Sequence, residues 1–312
     1  MRKGLFAGLS PLTELIMLAF FMLVCCMMVM FAGILLAPLI IGIPVSEMGR
    51  AFSEGDTASN LNMMRYMQTL YSIGLFILPA FVAAYLFSEN ALGYLRVERT
   101  VSLTWFGLAT ALMLSAIPCI NFMGALNEMI VFPQSLAGLE QRLRDFEEAA
   151  RQTTHFFLET DNVGGMLFNM FMIALLPSIG EELIFRGLLQ KIFVRWTGSI
   201  HAGIIIAGFL FSLMHFQFYG LFPRWVLGVM FGYLFVWSGT VWLPIFAHFI
   251  NNAVAVFITF LIHKEVVADK IEVIGANQGD IPATIATTAI CAIALWFMYS
   301  RYRNSRQSVV GR

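Results

Sequence analysis

Charge is scarce in this chain of 312 residues: 12% are Asp, Glu, Lys or Arg, while 59% are apolar. Soluble domains run nearer about 25% charged and about 45–50% apolar. A soluble fold of this length would have to expose much of its apolar surface, which excludes one, and the same composition excludes disorder. Cysteine is also scarce. Cys25, Cys26, Cys119 and Cys291 all sit inside apolar runs, and none has metal-site spacing, so a disulfide scaffold is excluded. Neither sign of charge is in excess, with 19 basic and 19 acidic residues. That leaves no electrostatic case for nucleic acid as a partner.

What the sequence does have is long apolar runs. A membrane helix needs about 20 apolar residues. Eight stretches qualify, at roughly 12–42, 66–88, 101–124, 164–194, 201–219, 223–242, 243–262 and 281–300. The fold class is therefore all-α: a polytopic bundle of about eight transmembrane helices. The first run is long enough to be tilted or to break at Pro38, and the sixth and seventh are separated only by Gly239 and Pro244. The first run is too long for a signal peptide and lacks a clear cleavage site, so it reads as a retained anchor.

Lys and Arg counts give the orientation. With the N-terminus inside, the inner side holds Arg2, Lys3, Arg96, Arg99, Lys191, Arg195, Arg301, Arg303, Arg306 and Arg312. The outer side holds Arg50, Arg65, Arg142, Arg144, Arg151, Arg224, Lys264 and Lys270. The expectation is a multi-pass protein with both termini inside. Between the third and fourth runs, Leu136, Leu139, Leu143, Phe146 and Ala150 recur at helical spacing among charged residues. They mark an amphipathic helix, either lying on the membrane or capping the bundle, or else solvated and packed on its neighbours.

Polar residues inside the later runs carry the chemistry. From Asn162 to Lys264 the only carboxylates are Glu181 and Glu182. A charged group at the centre of a membrane helix costs about 2.5–3.5 kcal/mol on insertion scales, so an ionisable residue there is a functional candidate. Glu182 and Arg186 share a helix face and can pair. Glu181 is rotated by about 100° and lacks that local partner. Pro177, four residues before Glu181, can free a backbone carbonyl. Two further runs carry histidines. Phe211 and His215 share one face, as do His248 and Asn252. His155, His201 and His263 lie in a loop or at run ends and receive no role. Gly228 and Gly232 read as helix packing. If the spans were straight alternating rods, His215 and His248 would lie at different depths.

Glu181, His215, His248 and Asn252 suit water activation and amide hydrolysis. A carboxylate and an imidazole can deprotonate a water, and an imidazole and a carboxamide can donate to an oxyanion. Glu181, His215 and His248 could instead ligate a divalent metal such as zinc, although there is no His-Glu-x-x-His. There is no Gly-x-Ser-x-Gly and there are no paired intramembrane aspartates, which disfavours serine and aspartyl intramembrane proteases. A proton-coupled transporter would often show repeated halves, and the sequence has none. A non-catalytic immunity or scaffold protein is the other alternative.

Glu181-Glu182-x-x-x-Arg186, Phe211-x-x-x-His215 and His248-x-x-x-Asn252, in that order on successive spans, resemble the CAAX-prenyl-endopeptidase and bacteriocin-processing family of intramembrane proteases. The resemblance covers residues 164–262, leaving 1–163 as N-terminal spans and amphipathic loop and 263–312 as a last span with a basic tail. It implies that Glu181 and His215 activate water and that His248 and Asn252 form the oxyanion site. Glu182, Arg186 and Phe211 would support them. The family is usually labelled metalloprotease, but a metal-free glutamate mechanism has also been argued, so a metal cofactor stays open. The resemblance further implies a peptide or protein substrate, prenylated or membrane-associated, in a lipid setting, which for this compact chain points to a bacterial cytoplasmic membrane.

Overall fold

The structure is a computed structural model that describes residues 4–48 and 58–310; Arg2, Lys3, Arg50 and Arg312 of the charge count lie outside them. The described residues are helical and form no strand. Among them, seven helices are long and apolar enough to cross a membrane, and an eighth apolar helix is shorter. In chain order these are α1 (Pro11–Ile40), α2 (Leu61–Phe87), α3 (Leu103–Glu128), the amphipathic α4 (Ala137–Leu158), α5 (Val163–Thr197), the short α6 (Ile200–Leu213), α7 (Leu221–Ser238), α8 (Trp242–His263) and α9 (Ile281–Val310).

Local sequence explains most of the boundaries. Ser10 caps α1 by accepting from the Thr13 amide, and the helix continues through Pro38 without ending. Gly239 takes a left-handed φ of 74° to stop α7, and Pro244 sits in the first turn of α8, where its missing N–H costs nothing. The helix expected over 201–219 stops at Leu213 instead. The chain then turns through residues 214–220, with Phe216 at φ 53°.

Two spans carry π-helical turns, at Ile73–Ile77 in α2 and at Met170–Leu175 and Phe185–Leu189 in α5. The first two are each followed by Leu-Pro, Leu78-Pro79 and Leu176-Pro177. A proline lacks the N–H that a regular helix would return to its fourth predecessor, so a wider turn is tolerated just before it. Gly180 fits against Phe76 and Ile77 of the α2 π turn, where an added Cβ would lie 2.7 Å from Phe76 Cβ.

One core joins the bundle from end to end, with Leu18, Ala80, Leu112, Ile184, Phe231, Ala247 and Met298 in a single buried cluster. Within it α6 packs on α7, α9 on α3, and α8 on the Met170–Leu175 turn. The α6–α7 contact is glycine on glycine: a Cβ on Gly228 would fall 2.9 Å from Gly208 Cα.

Candidate active site

The site is built around Glu182, which is fully buried together with Arg186. Arg186 Nη1 donates to Glu182 Oε1 at 2.9 Å, and His248 Nδ1 donates to the same oxygen at 3.0 Å. The local Glu–Arg pair therefore extends across to α8. Arg186 Nη2 donates to the Gly228 carbonyl at 2.8 Å, and Gln190, one turn on, donates to the Gly232 carbonyl at 3.2 Å. Gly228 and Gly232 thus do more than allow close packing. Their carbonyls receive polar groups of α5, and at Gly232 an added Cβ would lie 2.9 Å from Gln190 Oε1.

Aromatic rings enclose the cation. The Arg186 guanidinium lies 4.8 Å from the Phe211 ring centroid and 5.4 Å from that of Phe231. His248 stacks on Phe231 with centroids 5.1 Å apart and planes 18° from parallel. Cation–π contacts of this kind strengthen where water is excluded.

Phe211 also resolves the depth problem. His215 lies edge-on to it at 5.2 Å and His248 at 5.6 Å. Because α6 ends at Leu213, His215 sits on the turn that follows a short helix, and a single ring bridges the two imidazoles. His215 Nδ1 donates to the Phe211 carbonyl at 2.9 Å. A carbonyl only accepts, so Nδ1 carries the proton and a neutral His215 presents Nε2 as an acceptor.

Glu181 stands apart from this network. Its Oε2 is buried and has no hydrogen-bond partner, and neither has Glu182 Oε2. Buried polar atoms of this kind call for a donor such as water. Asn252 Nδ2 donates to the Ile173 carbonyl at 3.3 Å, and Asn251 Nδ2 donates to Asn252 Oδ1 at 3.0 Å. Ile173 is four residues before Pro177, so its carbonyl is the one a regular helix would have paired with residue 177. Among the described residues no three His, Cys, Asp or Glu side chains are grouped to hold a metal, and Glu181, His215 and His248 do not form such a group.

Several residues of the site escaped sequence reasoning. The His215 turn is irregular backbone, whose polar groups need partners inside a membrane protein. Asn127 of α3 supplies two bonds, donating to the Phe218 carbonyl at 3.0 Å and accepting from the Phe222 amide at 3.1 Å. Glu147 of α4 accepts from Gln217 Nε2 at 3.0 Å and from the Tyr219 amide at 3.1 Å. Gln217 in turn accepts from Arg224 Nη2 at 2.7 Å. The amphipathic helix therefore caps the His215 turn through a polar residue, while Leu139 and Phe146 of its apolar stripe stay exposed. Its far end is held where the Phe157 carbonyl accepts from Arg65 and Asn169. Nothing local in the sequence singles out Glu147 among the charges of α4. Arg224 was legible as a lone cation at the start of an apolar run.

Comparison with known proteins bears on the segment that holds this cluster. Residues 163–254 match the family of Rce1-like type II CAAX prenyl endopeptidases. The Rce1-like segment contains Glu181, Glu182, Arg186, Phe211, His215, His248 and Asn252, together with Arg224 and both π turns of α5. Asn127 and Glu147, which hold the His215 turn, lie outside it. Uncharacterized protein YpbD of Bacillus subtilis (strain 168) is 30% identical over 93 residues, covering 28% of this chain and 43% of that protein. Sporulation-killing factor biosynthesis protein SkfC of the same organism is 38% identical over 86 residues, covering 25% of this chain and 17% of that protein. The chain thus spans less than half the length of these curated relatives. No solved structure matches it.

Proposed function

We propose that this protein is an intramembrane endopeptidase that hydrolyses a peptide bond with a water held by Glu181 and His215. The observation that carries the reading is the division of labour between adjacent carboxylates. Glu182 is committed to Arg186 and His248, while Glu181 Oε2 is buried beside it without a partner. Glu181 then takes a proton from water, assisted by the Nε2 lone pair of His215, and the hydroxide adds to the peptide carbonyl. His248, anchored through Nδ1, donates from Nε2 to the oxyanion when it is protonated. The Asn252 N–H not used on Ile173 is the second donor. Collapse of the tetrahedral intermediate breaks the C–N bond, and the proton held by Glu181 passes to the leaving amine. The substrate class is a membrane-associated or prenylated peptide, as the match to Rce1-like type II CAAX prenyl endopeptidases suggests.

The test uses wild type and Glu181→Gln purified in detergent and assayed on pooled prenylated and unprenylated peptides, with and without chelator. Wild type is expected to cleave, and Glu181→Gln to lose cleavage with its unfolding midpoint unchanged. Cleavage by Glu181→Gln would remove Glu181 from the role of base. Chelator sensitivity with metal in the purified protein would replace the metal-free scheme by a metal-assisted one.

A further inference from the structure

A second polar feature lies at the opposite end of α7 from the His215 turn. A cavity of about 560 Å³ opens where α5, α7 and α9 meet the loop after α2. Arg96, Arg99, Lys191 and Arg195 line it, with aromatic side chains from Tyr94, Phe235 and Trp237, and no carboxylate is among its lining residues. Glu14 pairs with Arg195. Arg96, Arg99 and Lys191 have no ion pair among the described residues.

The site is built rather than incidental. Thr240 Oγ1 donates to the carbonyls of Arg96 at 3.2 Å and Arg99 at 2.6 Å, and Trp242 Nε1 donates to the Val97 carbonyl at 2.9 Å. Arg96 itself takes a left-handed φ of 58°, which turns the chain at the cavity wall. The Phe235 ring carries the Arg96 guanidinium at 4.9 Å and the Lys191 ammonium at 5.5 Å. Lys191 Nζ also donates to the Tyr94 carbonyl. These contacts hold the Arg96 and Lys191 side chains against the Phe235 ring with no carboxylate among the lining residues, so apart from Arg195 the basic groups have no counter-charge until an anion enters.

We propose that this cavity binds a phosphate-bearing anion, with the headgroup of an anionic phospholipid as its source. Guanidinium groups match phosphate oxygens in pairs, and basic pockets between membrane helices are suited to acidic headgroups. Tyr94 and Trp237 are the residue types that sit at headgroup depth. Lys191 lies ten residues beyond Glu181 on the same helix, about 15 Å along its axis, so the site is separate from the proposed catalytic cluster.

The experiment measures binding of dioctanoyl-phosphatidylglycerol, dioctanoyl-phosphatidylcholine and inorganic phosphate to the full chain in detergent. Wild type, Glu181→Gln, Arg99→Gln and the Arg96→Gln/Arg99→Gln double variant are compared. Phosphatidylglycerol should saturate one site on wild type and on Glu181→Gln alike, and weaken as salt rises. The double variant should bind it about tenfold less tightly, with Arg99→Gln intermediate. Arg99 is exposed, so its variant folds as wild type does and guards against a folding artefact. Inorganic phosphate binding as tightly as phosphatidylglycerol, with the same loss in the variants, would support the anion site and move its source from lipid to solution. Equal binding of phosphatidylcholine, or binding unchanged in Arg99→Gln and the double variant, would overturn the proposal.

Discussion

The carboxylate of Glu182 receives both Arg186 and His248 on one oxygen, so a change at any of the three strands a charge or donor in a dry interior. Removing one partner of a buried ion pair costs about 3–5 kcal/mol, more than the pair itself contributes. Arg186→Met is therefore expected to destabilise the protein by about that amount, measured by unfolding in mixed detergent. Normal stability would mean the pair is not the clamp it is described as. Phe231→Leu removes the stack under His248 and one of the rings facing Arg186 while leaving the ion pair intact, and should cost less, about 0.5–1.5 kcal/mol beyond the lost area, read in the same assay. At this scale the sequence was informative. Glu182 with Arg186, and Phe211 with His215, follow from helical spacing alone. The bond from His248 to Glu182 joins residues 66 apart and needs the tertiary fold.

Among the elements, α5 and α6 depart furthest from regular rods. Pro177 signalled a freed carbonyl in the sequence, but not that Asn252 would take it. Pro177→Ala restores an N–H that competes for the Ile173 carbonyl. The expected outcome is a more regular α5, a released Asn252 carboxamide and slower cleavage, checked by kcat together with amide exchange over residues 170–178. An unchanged exchange pattern would disconnect the proline from the π turn. The cap supplied by α4 makes a second claim. Glu147→Ala unties Gln217 and the Tyr219 amide, so residues 214–220 should exchange faster and kcat should fall, while the core of α5 and α8 keeps its protection. Equal protection in the turn would show that Asn127 holds it alone. The eight apolar runs were legible because membrane helices are written in composition. The early end of α6 was not, because Met214 and Phe216 continue the apolar run past the last helical turn.

Taken whole, the bundle places the Arg96, Arg99 and Lys191 group at one end of α7 and the α4 cap at the other, with the Glu182 cluster between. The charge count grouped Arg96, Arg99, Lys191 and Arg195 on one side, and the fold gathers all four around one cavity. The length of α6 has a consequence for the bilayer itself. Its 14 residues reach about 21 Å, against a hydrocarbon thickness of about 30 Å. Ile205, Phe209, Leu213 and Phe216 are exposed along it and the turn that follows. Lipid packed there meets a stub that ends well short of the far headgroups, and hydrophobic mismatch of this kind is relieved by local thinning. Reconstitution into phosphatidylcholines of graded acyl length should then give the fastest cleavage in the shortest chains, and a rate indifferent to chain length would argue against it. A dimple in the membrane beside His215 would bring water and a peptide bond to the same depth.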